Sequence, residues 1–346
     1  MKLFITGATG YLGQNLVPLL SKSHEHLYLL VRKRTYIRAK KLYEHLDNVT
    51  LVKGDLTNPD LIDEVETKLH EKIDSILHMG AFYDLQGDHK SCFLQNVMGT
   101  SNVLFFAKLC KNLKSFHYVS TIAVSGEISG EFLEDDFKRE QSFSNAYAET
   151  KYEAERMVRR LEFHDIQVSI YRPGIIIGNS KTGEFDKVDG PYYFWKTLSD
   201  FKGLIPGLSK LPILPLPIDE KAILPLVCVD TVADLINEST LRKSSKKVDC
   251  YHLVNPHSPK MIDLIKFSLK KFDIKAKIIP VSNHMLIEKS FDLLGLPKEI
   301  IHYMVTPVVY DQKNANSDLS MSKITAFKDI QDTIIDMAIR KFRGRK

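Results

Sequence analysis

Residues 1–16 read MKLFITGATGYLGQNL, with the small residues Gly7-Ala8-Thr9-Gly10 set between two apolar runs. Leu3, Phe4 and Ile5 form a short β-prone run of the kind that makes a buried strand. Leu12, Leu16, Leu19 and Leu20 then recur at helical intervals. Gly7, Gly10 and Gly13, three apart, therefore fall in a strand-to-helix turn. Glycines there allow a tight turn, close approach of the backbone to a pyrophosphate, and packing of the helix on the strand. The free N–H groups of the helix start would face the anion. The spacing is GxxGxxG rather than the commoner GxGxxG, so on its own the run fits a plain tight turn as well as a phosphate cradle.

The rest of the chain extends the strand-to-helix theme. LYLLVR (27–32), VTLVKGD (49–55), SILHMGA (75–81), SFHYVSTIAV (115–124) and VSIYRPGIII (168–177) read as strands. Leu61–Lys72, Asn96–Cys110 and Ala146–Leu161 read as helices between them. This βαβα order predicts an α/β fold, a parallel sheet with helices on both faces. From about residue 180 to 225 glycine and proline are dense, so regular helix is not expected to run long there. The apolar stretch GLIPGLSKLPILPLPI (203–218) fits either a self-packed loop or a pocket wall for an apolar substrate arm. ILPLVCVDTVADLI (223–236) returns to strand and helix, with Asp230 or Thr231 as the expected N-cap, and YHLVNP (251–256) reads as a further strand. The remainder is expected to be mainly helical.

Composition narrows the class. The 346 residues suffice for a large core, and 44% hydrophobic with 26% charged residues is ordinary for a globular protein. Cys92, Cys110, Cys228 and Cys250 form no CxxC pair, which argues against a metal site or a disulfide framework and fits a reducing cytoplasm. The glycine turn interrupts what could pass for a secretory signal, and no run reaches the length of a membrane helix. The expectation is a cytoplasmic protein with no integral membrane segment. The net charge of +5 is partly gathered in the tail IRKFRGRK (339–346), expected to be a solvated end. No aromatic-basic interleaving points to nucleic acid.

Chemistry is concentrated in SNAYAETKYEAERMV. Tyr147 and Lys151 are four apart, on one face of the expected helix. An ammonium beside a phenol favours the phenolate and lowers its pKa, bringing it closer to use as a proton donor or acceptor. Twenty-six residues earlier, Thr121 follows Ser120 near the carboxyl end of a strand, where α/β sheets bind ligands. A hydroxyl there would hold a carbonyl oxygen beside Tyr147. Asn96 is expected to open a helix after the fourth strand and offer its amide at the same rim. His78 and His117 are expected to be structural. After the second strand comes Arg32-Lys33-Arg34, with no acid close by to read a ribose 2′-hydroxyl. The Arg fork suits a 2′-phosphate, with Thr9 of the glycine turn assisting. This predicts NADP(H), held in part by Arg32 and Lys33.

TGATGYLG (6–13), GDL (54–56), HMGAFYDL (78–85), NVMGT (96–100), VSTIAVSG (119–126), YAETK (147–151) and YRPGIIIG (171–178) occur in this order. Together they resemble the extended short-chain dehydrogenases/reductases over about residues 1–260. The resemblance implies a Rossmann, doubly wound parallel sheet at 1–180, completed by about 223–256. It implies a smaller, mostly helical C-terminal substrate lobe from 181–222 and 257–346. It implies a catalytic set of Thr121, Tyr147 and Lys151 with Asn96 in support. It also implies cofactor contacts from Gly7, Thr9, Gly10, Tyr11, Leu12 and Gly13, and from Tyr147 and Lys151. Asp55 would lie near the adenine, with Leu56, Gly80, Ala81, Pro173 and Ile175 completing the cofactor site.

YRPGIIIGNSKTGEFDKVDGPYYF (171–194), the LVR at 30–32 and HMGAFYDL are similar to the thioester-reductase branch, which includes fatty acyl-CoA reductases and terminal reductase domains of carboxylic acid reductases. LLGLPKEIIHYMVTPVVYDQKNANSDL (293–319) also resembles C-terminal pieces of stand-alone members. That branch implies reduction of an acyl thioester, CoA- or carrier-bound, to an aldehyde or alcohol without a cysteine nucleophile or a metal. A homodimer is left open. A second reading is a sugar-nucleotide or hydroxysteroid dehydrogenase or epimerase, and a third is a non-catalytic nucleotide sensor, against which the intact Thr121, Tyr147 and Lys151 set speaks. Ser125, where many epimerases carry Tyr, counts against the epimerase.

Overall fold

In the computed structural model, residues 1–63, 68–138, 140–163, 165–204, 213–216, 218–280 and 307–343 are described. The apolar runs become strands β1 (Lys2–Thr6), β2 (His26–Val31) and β3 (Val49–Lys53), joined by helices α1 (Tyr11–Ser23) and α2 (Tyr36–Tyr43). A single turn, α3 (Leu69–Lys72), leads to β4 (Ser75–His78). The expected helix 61–72 is thus helical only in its last turn among the described residues. Its start is lost because Leu61 is left-handed, with φ 61°, and Ile62 forms an antiparallel bridge with Gly54.

Beyond β4 a helix starts with α4 (His89–Cys92), passes through π-helical Phe93–Met98 and ends as α5 (Gly99–Leu109). Asp88 caps it by accepting from the Ser91 N–H. Asn96 therefore does not open this helix but lies inside it, in the π segment. There the Thr100 hydroxyl donates back to the Asn96 carbonyl at 2.5 Å, a side-chain bond that competes with the regular ladder.

The second half supplies β5 (Ser115–Val119), the short β6 (Gly130–Phe132), α6 (Ala146–Arg159), β7 (Gln167–Pro173) and β8 (Ile175–Ile177). The run read as one strand over 168–177 breaks at Gly174. A Cβ there would meet the Pro225 carbonyl oxygen at 2.3 Å, and the chain leaves the central sheet. Then come α7 (Pro191–Leu204), β9 (Ile213–Leu216), β10 (Leu226–Cys228), α8 (Val229–Thr240), β11 (Val248–Leu253), α9 (Met261–Lys271) and β12 (Lys277–Pro280). The proline-rich segment contains a 14-residue helix after all, since Pro191 sits at its first position, where a missing N–H costs nothing. The N-cap of α8 is Cys228, not Asp230 or Thr231; the Asp230 carboxylate instead accepts from the Ser180 N–H at 2.9 Å.

The central sheet has seven strands in the order β11-β7-β5-β4-β1-β2-β3, every neighbouring pair parallel. The order reverses between β1 and β4, which opens a crevice at their carboxyl ends. One face is filled by Leu16, Leu20, Val232 and Ile236 of α1 and α8, the other by Val103, Phe106 and Val158 of α5 and α6. A third apolar core, around Trp195, Tyr192, Phe272 and Ile334, joins α7, α9 and the helix Phe327–Arg343. The basic tail is not wholly a solvated end: Phe342 is buried, and the Lys341 ammonium pairs with Glu184 at 2.7 Å. Residues 281–306, where part of the C-terminal resemblance falls, lie outside the described residues.

Candidate active site

The glycine turn leaves β1 at the switch point. Gly7 has φ +78°, and a Cβ on it would meet the Gly80 nitrogen at 2.6 Å. A Cβ on Gly13 would meet the Ala8 carbonyl oxygen at 2.3 Å. Both positions are closed to any side chain. Gly10 is different: its Cβ would touch only the Gly7 carbonyl oxygen, at 3.2 Å, and otherwise point into open space. Gly10 is also the N-cap of α1, with no side chain capping the helix. The first N–H groups of α1 thus face an open, side-chain-free cradle, the geometry a pyrophosphate needs.

Two strands along, β5 ends at Val119 and Thr121 follows in extended backbone. Asn145 caps α6 by accepting from the Ala148 N–H, and so fixes the start of the helix that carries Tyr147 and Lys151. The Thr121 hydroxyl is within hydrogen-bonding reach of the Tyr147 phenol. The neighbouring Ser120 hydroxyl donates to Glu155 at 2.6 Å, which leaves Thr121 as the hydroxyl near the Tyr147 phenol. Burial raises the Tyr147 pKa, and the Thr121 hydrogen bond offsets only part of this.

The Lys151 ammonium is 2.7 Å from both the Tyr118 hydroxyl and the Val119 carbonyl oxygen. Burial brings it down to about 7, against a smaller opposing effect of Glu155. The expectation that Lys151 lowers the Tyr147 phenol is not met here. The ammonium spends its hydrogen bonds on β5, and desolvation dominates Tyr147.

Asn96 is buried and fully engaged. Its Oδ1 accepts from the Phe82 N–H at 2.8 Å, and its Nδ2 donates to the Phe82 carbonyl and the Thr150 hydroxyl. It ties the loop after β4 to α6 and does not line the cavity.

A cavity of about 380 Å³ runs from this cradle past Thr121, Tyr147 and Lys151. Gly7, Gly10, Tyr11, Leu12 and Gly13 line one end, with Ala81, Pro173 and Ile175 along the way. The far wall is apolar: Phe194, Leu216, Leu224, Met261, Leu264 and Ile265. The segment between β8 and α7 closes over it. Tyr11 donates to the Glu184 carbonyl at 2.7 Å, and Tyr83 donates to the Asp189 carboxylate.

Comparison with known proteins fits this geometry. Residues 5–236 match the NAD-binding family model described as Male sterility protein. The chain belongs to the Male sterility protein family.

It is of the extended short-chain dehydrogenase/reductase type, in the thioester-reductase branch, and its site is one for a nicotinamide dinucleotide. A linear gramicidin synthase from Brevibacillus parabrevis is 30% identical over 75% of this chain and 5% of its own length. Fatty acyl-CoA reductase wat of Drosophila melanogaster is 28% identical over 55% of this chain and 46% of its own length. The terminal R domain from the myxalamid PKS-NRPS biosynthetic pathway superimposes with a TM-score of 0.78 at 25% identity, covering 98% of this chain and 90% of that one. The chain spans well under two thirds of the curated relatives it matches first: 5%, 24% and 27% of their lengths.

The remaining residues singled out in this family member lie around the cavity rather than in its wall. Arg32 sits at the end of β2, with burial and Arg34 lowering its pKa and Asp55 opposing them. Lys33 is exposed and 3.6 Å from the Asp63 carboxylate. The Asp55 carboxylate accepts from the Thr57 N–H and hydroxyl, each at 2.9 Å. Leu56 packs against Gly80 and Gly99, and the Thr9 carbonyl accepts from Gln14. Sequence reasoning missed Tyr83, Asp189 and the apolar wall from α9, because only folding brings these segments to Tyr147.

Proposed function

We propose that this chain reduces an acyl thioester, bound to CoA or a carrier protein, with NADPH as the hydride donor. The observation that carries the reading is one cavity joining three things: the bare glycine cradle, the Thr121–Tyr147 hydroxyl pair and an apolar wall of α9 and β9 side chains. The likeness to reductase domains of peptide synthetases and to fatty acyl-CoA reductases supports thioester chemistry over sugar-nucleotide chemistry.

The roles follow from the geometry. The cradle at Gly7, Gly10 and Gly13 would hold the pyrophosphate, and Lys151 the ribose next to the nicotinamide. Arg32, at the end of β2 with no acid in its immediate sequence, would take the 2′-phosphate. The bound reduced nicotinamide supplies a hydride to the thioester carbonyl carbon. Thr121 and Tyr147 donate hydrogen bonds to the carbonyl oxygen as it gains charge, where fixed donors count most. Tyr147 then gives that oxygen its proton. Burial keeps this phenol protonated, which is the state a reduction requires. Breaking the C–S bond of the resulting hemithioacetal releases the thiol and leaves an aldehyde. A second reduction of the aldehyde gives an alcohol.

The test mixes the protein with NADPH and acyl-CoA thioesters, following loss of reduced cofactor and release of free thiol together. Matched loss and release support the reading, and two NADPH per thiol marks the alcohol as product. Turnover of a sugar nucleotide or hydroxysteroid, with none of any thioester, overturns it.

A further inference from the structure

We propose that Tyr118, Thr100 and His78 are positioning residues, forming a buried line of hydrogen-bonded and packed polar side chains that joins the glycine cradle to the Lys151 ammonium. The backbone that holds the dinucleotide thereby also sets where the ammonium stands. This deepens the role given above to Lys151 as a holder of the nicotinamide ribose.

The line begins at Gly80, whose backbone lies so close to Gly7 that no Cβ fits between them. The Gly80 N–H donates to the Thr6 hydroxyl at 3.1 Å, and Thr6 ends the strand that delivers Gly7. Thr6 Oγ1 is 2.7 Å from His78 Nδ1, and His78 Nε2 is 3.0 Å from Thr100 Oγ1. The Thr100 hydroxyl also faces the Tyr118 phenol, whose ring is 5.6 Å from that of His78. Tyr118 accepts from Lys151 at 2.7 Å. Thr6, His78, Thr100, Tyr118 and Lys151 are all buried, so no solvent replaces a lost partner.

The protons can be placed by counting. A threonine hydroxyl has one proton, and that of Thr100 goes to the Asn96 carbonyl at 2.5 Å. His78 Nε2 must therefore carry a hydrogen and donate to Thr100 Oγ1. The other nitrogen, Nδ1, then accepts from Thr6, which leaves Thr6 Oγ1 able to accept from Gly80. Tyr118 accepts from Lys151, with its phenol near the Thr100 hydroxyl. From Gly80 to Thr100 each donor has one acceptor, and the arm from Lys151 through Tyr118 meets it at Thr100. It requires a neutral His78, and burial, with a smaller contribution from Lys151, holds its pKa down at about 3. A cluster present only to satisfy buried polar atoms need not end at the cradle on one side and at the catalytic ammonium on the other.

The groups facing Lys151 are Tyr118 of β5, His78 of β4, and Tyr147 and Glu155 of its own helix. Of these, Tyr118 is the neutral acceptor. The experiment compares Tyr118→Phe, Thr100→Val and Thr100→Ser with the wild type. NADPH affinity is read from nicotinamide fluorescence between pH 6 and 9, alongside thermal melting. Affinity in the wild type falls as the ammonium loses its proton. In Tyr118→Phe that fall moves to lower pH by about one unit, because the charged form has lost an acceptor. Thr100→Val moves it the same way and weakens binding about tenfold or more at neutral pH, as a displaced contact does. Thr100→Ser behaves as wild type. The proposal is overturned if Tyr118→Phe and Thr100→Val bind NADPH with wild-type affinity and pH dependence, whatever they do to melting. The readout is binding, so a failure of the thioester assay leaves this test intact.

Discussion

The ring of Tyr83 stands edge-on to the ring of Tyr147, centroids 4.7 Å apart at 88°. The Lys187 ammonium lies over the Tyr83 ring at 4.5 Å and donates to the Tyr83 carbonyl at 2.6 Å. Tyr83 is thus a wall against which the Tyr147 phenol rests. An edge-to-face pair contributes roughly 0.5–1.5 kcal/mol beyond area burial. Tyr83→Phe keeps this wall and is expected to hold kcat within about threefold, while Tyr83→Ala lets Tyr147 wander and lowers kcat about tenfold or more. Tyr147→Phe removes the proton donor and lowers kcat by about a hundredfold or more, with NADPH affinity largely kept. Steady-state kinetics and cofactor titration on the three variants check this ordering.

Lys151 makes stability depend on pH in a definite direction. Its folded pKa is about 7, below its ordinary 10.5, because burial penalises the charge. Between those values the unfolded chain holds more protons, so rising pH favours the folded state. The cost of burying the charge is in full force below about pH 7 and is relieved as pH climbs. Lys151→Met never bears this cost. Its melting temperature is expected to exceed the wild type's most at pH 6.5, with the gap narrowing by pH 9.5. A gap that widens toward alkaline pH contradicts the assignment.

The cradle, the Tyr147–Lys151 face and Thr121 are legible in the sequence because each is a local pattern: glycines three apart, two side chains one helical turn apart, a hydroxyl at a strand end. Relationships across the sheet are not. Lys151 meets Tyr118 across α6 and β5, and Asn96 meets Thr150 across two helices. Nothing in the spacing of 96 or 118 announces those partners. Asn96 is not the helix start, because Asp88, eight residues earlier, already caps the helix. Glycine and proline hide the helix α7, yet Pro191 begins a helix rather than breaking one.

A buried ion pair behind the site carries a further prediction. Glu155 and Arg172 are both fully buried, with Arg172 Nη2 2.7 Å from Glu155 Oε1, and Glu155 also receives Ser120 and Arg159. Burial alone would raise the carboxyl, but Arg172 and Arg159 outweigh it and hold it at about 2. The folded pKa is depressed, so this contribution is present above the ordinary carboxylate range and is lost as pH falls toward 2. Arg172→Met leaves the carboxylate short of its main partner and is expected to destabilise the fold by about 3 kcal/mol or more. Urea unfolding at pH 7 measures the loss. A variant as stable as wild type removes the pair from the account.

Arg32 is expected to discriminate between the two nicotinamide cofactors. It stands half-buried at the end of β2, with Arg34 close enough to lower its pKa. A 2′-phosphate brought to this pair gains charge-assisted hydrogen bonds that a hydroxyl cannot match. Arg32→Ala is expected to weaken NADPH about tenfold or more while changing NADH little. Lys33→Ala is expected to do less, since Lys33 is exposed and already faces Asp63. Titration of both variants with both cofactors decides the matter, and equal losses for NADPH and NADH at Arg32 would remove the phosphate from the explanation.

The glycines separate folding from binding. At Gly7 the left-handed φ of +78° and the Gly80 nitrogen, 2.6 Å from where a Cβ would sit, both oppose any side chain. Gly7→Ala must push β1 away from the loop after β4, so its melting temperature is expected to drop clearly. Gly10 carries neither burden, because its Cβ would meet only one carbonyl oxygen at 3.2 Å. Gly10→Ala is expected to fold with a melting temperature within a few degrees of wild type. Its methyl group, however, would occupy part of the cavity wall at the N-cap of α1, where the pyrophosphate must come within hydrogen-bonding distance. NADPH affinity is expected to fall about tenfold or more, since the ligand loses charge-assisted backbone contacts it cannot find elsewhere. Melting and cofactor titration on the two variants separate the two effects if the cradle reading is right: Gly7→Ala the less stable, Gly10→Ala stable but weaker in binding. A Gly10→Ala protein that binds NADPH as tightly as wild type shows that the turn is only a turn.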